Sequence, residues 1–474
     1  MAGITAIGAY IPRYRLSAQE IAGFWRVRAA VGEKAVAGYD EDSLTLAVAA
    51  ARDCLRASAR EADGLYFATT TCPYKEKQGA AVIAGALDLK KESRTADFTG
   101  SLRAGSIALG SALDAVGNGS AADILVAASD CRMGAPQGRW EPLLGDAAAA
   151  VMVGAEGTIA DLEGRYSLFS DFTDFWRKEK DDFIQSAEGR FIDAEGYRPT
   201  MQAAVSGLMK KLSARPEDFS RIVYYAADGR QHAEFARKMG FDKSKVQDPL
   251  FSHIGNTGAA AALLMLVAAL EEARPEDRIL FAAYGDGCDV FAFRVTKNIG
   301  EIQRKTGIKE KSARGVPLDY GRYLHWKNLT PVETANLPQR SEPSLITRWR
   351  DRKSVSALYG VRCRSCGTPQ IHPIGQNIRV CFTCQAKDDF EPYKFSDKKG
   401  KLFSYAVDQL QPTKNPPGLN GVVDFDGGGR LICELTDYDL DRVSVGMPVE
   451  MTFRRMMQGE GILNYFWKAR PAAD

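Results

Sequence analysis

Apolar positions in the first 296 residues fall into short blocks of two alternating kinds. Compact aliphatic runs at 3–9, 64–69, 95–98, 123–129 and 145–154 predict strands. Longer stretches with helical spacing at 43–57, 79–87 and 101–116 predict helices between them. This alternation predicts an α/β architecture with helices on both faces of a sheet. The most apolar stretch, 258–270, is only thirteen residues and rich in alanine, which predicts a buried helix too short to span a bilayer.

The pattern occurs twice. A helix of small residues at 101–116 runs into the strand Ala122-Asp123-Ile124-Leu125-Val126-Ala127-Ala128-Ser129-Asp130. A second at 257–273 runs into Asp277-Arg278-Ile279-Leu280-Phe281-Ala282-Ala283-Tyr284-Gly285. Each follows a glycine, Gly100 or Gly255, so an internal duplication is expected. Helices this rich in Gly, Ala and Ser suit burial between two sheets.

The character then changes. Residues 297–355 carry Lys309, Lys311 and Arg314 and predict a linker with helices, its basic positions forming a solvated face. Region 356–392 holds two C-x-x-C pairs, Cys363/Cys366 and Cys381/Cys384, separated by fourteen residues. Two such knuckles offer four thiolates to one ion and leave no position for a catalytic water, so the site is expected to be structural. Zinc is the expected ion, although four thiolates also suit iron. From 393 to 474 short strands at 402–407, 421–425, 430–435 and 449–453 are divided by Gly and Pro turns. The glycines of 426–429 join two of them as a hairpin, and the set predicts a small OB-fold barrel.

Composition narrows the function. At 474 residues the chain is expected to form several domains, and a net charge of +2 argues against a nucleic-acid or membrane surface as partner. Five further cysteines (Cys54, Cys72, Cys131, Cys288 and Cys433) are scattered, which suits a reducing, cytoplasmic setting. The N-terminus lacks a basic start followed by a long apolar run, so no signal peptide is expected.

Six stretches carry a family resemblance: GITAIGAYIPRYRL at the N-terminus, SDFTDFWR at 170–177, GRFIDAEGY at 189–197, RKMGF at 237–241, IGNTGAA at 254–260 and DRILFAAYGDG at 277–287. Residues 1–296 thereby resemble the archaeal form of 3-hydroxy-3-methylglutaryl-CoA synthase in the thiolase superfamily. Residues 320–470 resemble the DUF35-type zinc-ribbon and OB-fold chains that accompany thiolase-like enzymes, here fused to the synthase-like part. The resemblance implies a duplicated βαβαβαββ thiolase fold in five αβαβα layers, followed by a zinc ribbon and an OB barrel. It also implies a homodimer, coenzyme A thioester ligands and a thiolase-like partner enzyme. The expected domains are 1–296, a linker at 297–355, the ribbon at 356–392 and the OB fold at 393–474.

The family's catalytic motifs, carried over residue by residue, meet different side chains. Its F-A-C-K-A-G falls on Gly100-Ser101-Leu102-Arg103-Ala104-Gly105, which puts Leu102 at the nucleophilic cysteine. Its G-S-E-S falls on Ala68-Thr69-Thr70-Thr71, with Thr70 at the glutamate base. Its H-Q-P-N-G-K falls on Tyr225-Ala226-Ala227-Asp228-Gly229-Arg230, with Tyr225 at the histidine. Only the asparagine of G-N-T remains, as Asn256.

Four readings follow from that loss. Tyr225, Tyr284 and Asn256 would serve aldol or retro-aldol chemistry on an acyl-CoA, because a tyrosine moves a proton at a carbonyl without forming an acyl-enzyme. The resemblance extends here to thiolase-fold aldolases that use tyrosines and a DUF35 partner. Alternatively the chain is a non-catalytic scaffold that binds acyl-CoA and docks a thiolase. Acyl transfer would need Ser101, otherwise a helix N-cap, or Cys288, otherwise a buried thiol, with His253 within reach of the site. Nucleic-acid binding by ribbon and barrel is disfavoured by the near-neutral charge. His232 is expected on the surface of a helix that starts after Gly229.

Overall fold

The computed structural model describes residues 2–58, 60–301, 307–333, 345–372, 378–456 and 462–472. They form two compact units: Met1–Ala37, Asp42–Ala84 and Leu89–Tyr323 in the first, and Gly38–Glu41, Gly85–Asp88 and Leu324–Asp474 in the second.

A nine-stranded sheet organises the first unit, in the order Arg221–Tyr224, Arg278–Tyr284, Gly287–Val295, Ala160–Phe169, Gly3–Tyr10, Ala147–Gly154, Asp123–Asp130, Gly64–Ala68, Arg94–Phe98. It is two half-sheets joined by a short pairing of Gly3 with Asp161 and Ile4 with Ala160. Every residue of Asp123–Asp130 and Ala147–Gly154 is buried, the condition that makes such strands read as unbroken apolar runs. Helices Ala104–Gly117 and Ala261–Glu271 lie between the half-sheets and pack on one another. Gly105 is required at this crossing, since a Cβ there would sit 2.8 Å from the carbonyl oxygen of Ala259. Ser43–Arg56 covers one half-sheet and Arg198–Leu212 the other, which completes five layers. The duplication is explicit. Buried helix, parallel strand and antiparallel return recur as 104–117, 123–130, 147–154 and as 261–271, 278–284, 287–295.

Three strands of this sheet, Ala160–Phe169, Gly287–Val295 and Arg221–Tyr224, have no counterpart among the strands expected from the hydrophobic pattern. The first is half-exposed along most of its length, and the second follows its neighbour after a two-residue turn at Asp286. The expected helix 101–116 begins only at Ala104, leaving 101–103 in a turn. His232 corrects an expectation. Its helix, Gly229–Met239, starts where expected, but its ring is buried and stacked on Tyr224 with centroids 4.3 Å apart.

The second unit contains a three-stranded sheet, Pro369–Gln370, Tyr359–Cys363 and Phe390–Lys394, around the cysteines. It also contains a five-stranded sheet in the order Arg430–Glu434, Gly418–Phe425, Lys399–Asp408, Pro448–Arg455, Tyr465–Pro471. A bridge between Leu435 and Ala469 brings the two ends together, so the sheet is a nearly closed barrel. Gly427, Gly428 and Gly429 all have positive φ and make the tight turn between two of its strands. Ionic groups are sealed inside this unit. Lys468 reaches Asp40 at 3.0 Å and Glu434 at 2.9 Å, and Arg454 pairs with Glu41 and Asp437.

Candidate active site

The strands of both half-sheets end on one set of polar residues. Strand Asp123–Asp130 delivers Asp130, whose carboxylate accepts from Thr69 Oγ1 (2.9 Å), Thr70 N (2.7 Å) and Thr71 Oγ1 (3.0 Å) on Oδ1. Its Oδ2 accepts from Thr70 Oγ1 (2.9 Å) and from the amide of Ala259 (2.8 Å). The Thr70 hydroxyl, at the family's glutamate position, is therefore a donor already in use and not a base.

Tyr225 follows strand Arg221–Tyr224 directly, anchored by its amide on Ala282 O and by Tyr197 Oη donating to its carbonyl at 2.7 Å. Asn256 is held in its turn by its amide to Leu143 O at 2.7 Å, and its Oδ1 accepts from Gly258 N at 2.9 Å. Its Nδ2 donates to Tyr225 Oη at 3.1 Å and to Ala227 O at 3.0 Å. The buried Arg132 guanidinium also faces the Tyr225 hydroxyl and lies over the Phe175 ring at 5.8 Å. Burial raises the Tyr225 pKa, while Arg132 and Asn256 pull it down and Asp174 pushes it up.

Tyr284 ends strand Arg278–Tyr284 and packs edge-on against Tyr197, ring centroids 5.0 Å apart. Its pKa is raised by burial and then by the Asp174 carboxylate beside it. Asp174 is 5% exposed, and its Oδ1 accepts from the Phe175 amide at 2.6 Å. Burial raises the Asp174 pKa against the opposing influence of the Phe175 amide and Tyr284.

The other candidates sit differently. Ser101 is half-buried in the turn before Ala104, and the helix has no side-chain cap. Its Oγ makes only a long contact from Arg103 N at 3.4 Å, close to Gly285, where a Cβ would lie 2.9 Å from that oxygen. Leu102 packs partly buried against the core. Cys288 is completely buried in its strand with Sγ 3.3 Å from Met201 Sδ, and burial raises its pKa, which disfavours thiolate. His253 is exposed in the turn before Ile254. Arg132, Asp130 and Asp174 do not stand out in the sequence. Asp130 closes a fully buried strand and Arg132 follows it by two residues, and Asp174 lies inside SDFTDFWR, so position relative to a buried strand is the available signal.

In the second unit the Sγ atoms of Cys363, Cys366, Cys381 and Cys384 all lie within 4.8 Å of one another. The pairs Cys363–Cys384 and Cys366–Cys381 are each 3.6 Å apart, near the ~3.8 Å edge of a tetrahedron of sulfurs about 2.3 Å from zinc. The donor set fits a closed tetrathiolate site.

Five layers, a duplicated half and a site at the strand ends define a thiolase-superfamily chain, here carrying a four-cysteine ribbon and an OB barrel. Residues 209–296 match the family described as 3-oxoacyl-[acyl-carrier-protein] synthase III C terminal, and residues 393–454 match ChsH2, C-terminal OB-fold domain. The chain belongs to the hydroxymethylglutaryl-CoA synthase family. It is 33% identical to the synthase of Methanopyrus kandleri over 339 residues, which cover 69% of this chain and 97% of that protein. It is 34% identical to the synthase of Thermococcus sibiricus over 332 residues, 68% of this chain and 94% of that one. Solved structures agree in fold. An HMG-CoA synthase complexed with CoA superposes with a TM-score of 0.62 at 20% identity, covering 68% of this chain and 89% of that one. The 3-oxoacyl-(acyl carrier protein) synthase III of Pseudomonas aeruginosa gives 0.57 at 21% identity, covering 62% and 98%.

Proposed function

We propose that the first unit acts on an acyl-CoA thioester and makes or breaks a carbon–carbon bond by aldol-type chemistry, without an acyl-enzyme. The ligand class is taken from the family, whose relatives are hydroxymethylglutaryl-CoA synthases and include a CoA-bound structure. The observation that carries the reaction type is the Tyr225–Asn256 pair. With Asn256 Nδ2 and Arg132 directed at its oxygen, the Tyr225 hydroxyl keeps its own proton for a ligand carbonyl. In the cleavage direction the 3-hydroxyl loses its proton, the Cα–Cβ bond breaks to release a carbonyl fragment, and the electron pair enters the thioester enolate. That enolate is the oxyanion Tyr225 would hold before Cα is protonated. Loss of the family's cysteine supports the same reading, since Leu102 cannot carry an acyl group and Cys288 is shielded.

The test is intact-protein mass spectrometry after incubation with acyl-CoAs, followed by a 3-hydroxyacyl-CoA watched for a carbonyl fragment. A stoichiometric adduct on Ser101 or Cys288 overturns the proposal in favour of acyl transfer. Release of the fragment by wild type and not by Tyr225→Phe supports it. A second reading, a scaffold that binds acyl-CoA and docks a thiolase, is favoured by the replacement of the cysteine, glutamate and histidine together. It expects co-purification with a thiolase and no turnover by the chain alone.

Three further assignments complete the proposal. Strand Arg94–Phe98 lies at an edge of the sheet, half-exposed, and pairs with a second copy in a homodimer. The four cysteines hold structural zinc. The ribbon occupies 356–392 and the OB domain 393–474.

A further inference from the structure

Loss of the family's glutamate leaves this site without its base, because Thr70 donates its hydroxyl to Asp130. The buried acids of the first unit can be compared by what already occupies their oxygens. Asp130 accepts five hydrogen bonds. Glu141 accepts from Tyr320 Oη at 2.6 Å and Gln137 N at 2.7 Å. Asp289 is paired with Arg103 at 3.1 Å and accepts from Ser106 Oγ at 2.7 Å. Asp146 accepts from Ala37 N at 2.8 Å. Among the described residues of this unit, the one carboxylate oxygen both shut off from solvent and without a hydrogen bond is Asp174 Oδ2. Leaving such a group unsatisfied costs about 1–3 kcal/mol or more, so an oxygen kept this way is a place to look for function.

Its surroundings give it a direction. The Asp174 charge reaches both Tyr225 and Tyr284, and the Tyr284 hydroxyl, directed at the carboxyl, draws its pKa down against burial. Oδ1 is fixed by the Phe175 amide, which orients the carboxyl and leaves Oδ2 outside that backbone bond. Arg132 and Asn256 stand on the Tyr225 oxygen, so one end of the cluster donates and the other accepts. Two titratable groups in oppositely biased surroundings are the usual basis of an acid–base assignment.

We propose that Asp174 is the general base of this site, with Tyr284 as its positioning residue, and that it removes a proton from the acyl part of a bound CoA thioester. This rests on the acyl-CoA reading above. In the simplest step Oδ2 takes the α-proton, the C–H electron pair becomes the C=C of the enolate, and the thioester oxygen takes the charge under the Tyr225 hydroxyl. Return of a proton from Asp174 restores the thioester, so the step is visible as isotope exchange without any second substrate. In cleavage the same oxygen takes the 3-hydroxyl proton.

The experiment incubates the full chain with acetyl-CoA or butyryl-CoA in D2O and follows deuterium entry at the α-carbon by NMR, with binding measured by calorimetry. Wild type should exchange faster than solvent, and Asp174→Asn should lose about 10²–10⁴-fold while binding within about twofold. Tyr284→Phe keeps the base but removes a group that holds its pKa down, so the acid limb of exchange should move to higher pH. That second variant answers the question even where Asp174→Asn fails to fold. Exchange by Asp174→Asn at the wild-type rate, or an acid limb unmoved in Tyr284→Phe, overturns the base assignment. Wild type that binds acyl-CoA but exchanges nothing overturns it too, with the ligand reading intact. Failure to bind any acyl-CoA removes that reading and the base with it.

Discussion

Asn256 Nδ2 and the Tyr225 hydroxyl oxygen lie 3.1 Å apart, with both side chains buried. The amide is rigid because its Oδ1 accepts from Gly258 N and its Nδ2 also reaches Ala227 O. The phenol is thus aimed by a group that cannot rotate without losing two backbone hydrogen bonds. Asn256→Ala should lower turnover of a 3-hydroxyacyl-CoA by about 10²-fold with KM little changed, the signature of a group that acts in the transition state. It should also cost about 1–3 kcal/mol of stability through the unpaired partners, read by denaturant titration.

His232 should make the first unit acid-sensitive. Its ring is buried, Nε2 has no hydrogen-bond partner, and burial lowers its pKa to about 4. The folded state therefore favours the neutral ring, and its contribution is complete above the unfolded value near 6.5. It falls away as pH drops from about 6.5 towards 4, to a total of ~3 kcal/mol. His232→Phe preserves the stack on Tyr224 and should flatten that part of the Tm-against-pH curve.

Lys468 is 2% exposed and sits between Asp40 and Glu434. Removing the ammonium leaves Asp40, itself 2% exposed, with a buried charge short of compensation. Lys468→Met should destabilise the second unit by about 3–5 kcal/mol, and Lys468→Met with Asp40→Asn should recover part of that loss. Thermal melts of the two variants check the order.

Chelation should unfold the region of 359–394. Its three strands are short, and its described core is small apart from the thiols. Small metal-bound folds hold their structure through the ion. Treatment with a strong chelator should release one metal per chain and expose 359–394 to proteolysis, and Cys381→Ser should do the same without chelator.

Much of the fold is legible in the sequence because buried strands and helices write themselves in composition. Asp123–Asp130 is buried at every position and the alanine-rich helix Ala261–Glu271 at every position up to Leu270. The strand Ala160–Phe169 is not legible, because half-exposed positions with Glu163 and Arg165 break the apolar signal. The site follows the same division. Tyr225 and Asn256 can be placed by motif, whereas Arg132 and Asp174 depend on which loops meet after folding. His232 departs from its expected surface position because it lies three and four residues before Phe235 and Ala236, on the one face of Gly229–Met239 that is buried.

Asp130 binds threonines that follow a strand of the first half and an amide that opens the central helix of the second. One carboxylate therefore ties together two copies of an ancestral motif. A duplicated gene normally frees each copy to drift, but here a change at 130 strands donors in both. The two halves share a constraint that neither can relax alone: sequence change at 69–71 and 130 should be correlated, whereas position 259 contributes through its backbone amide whatever its side chain.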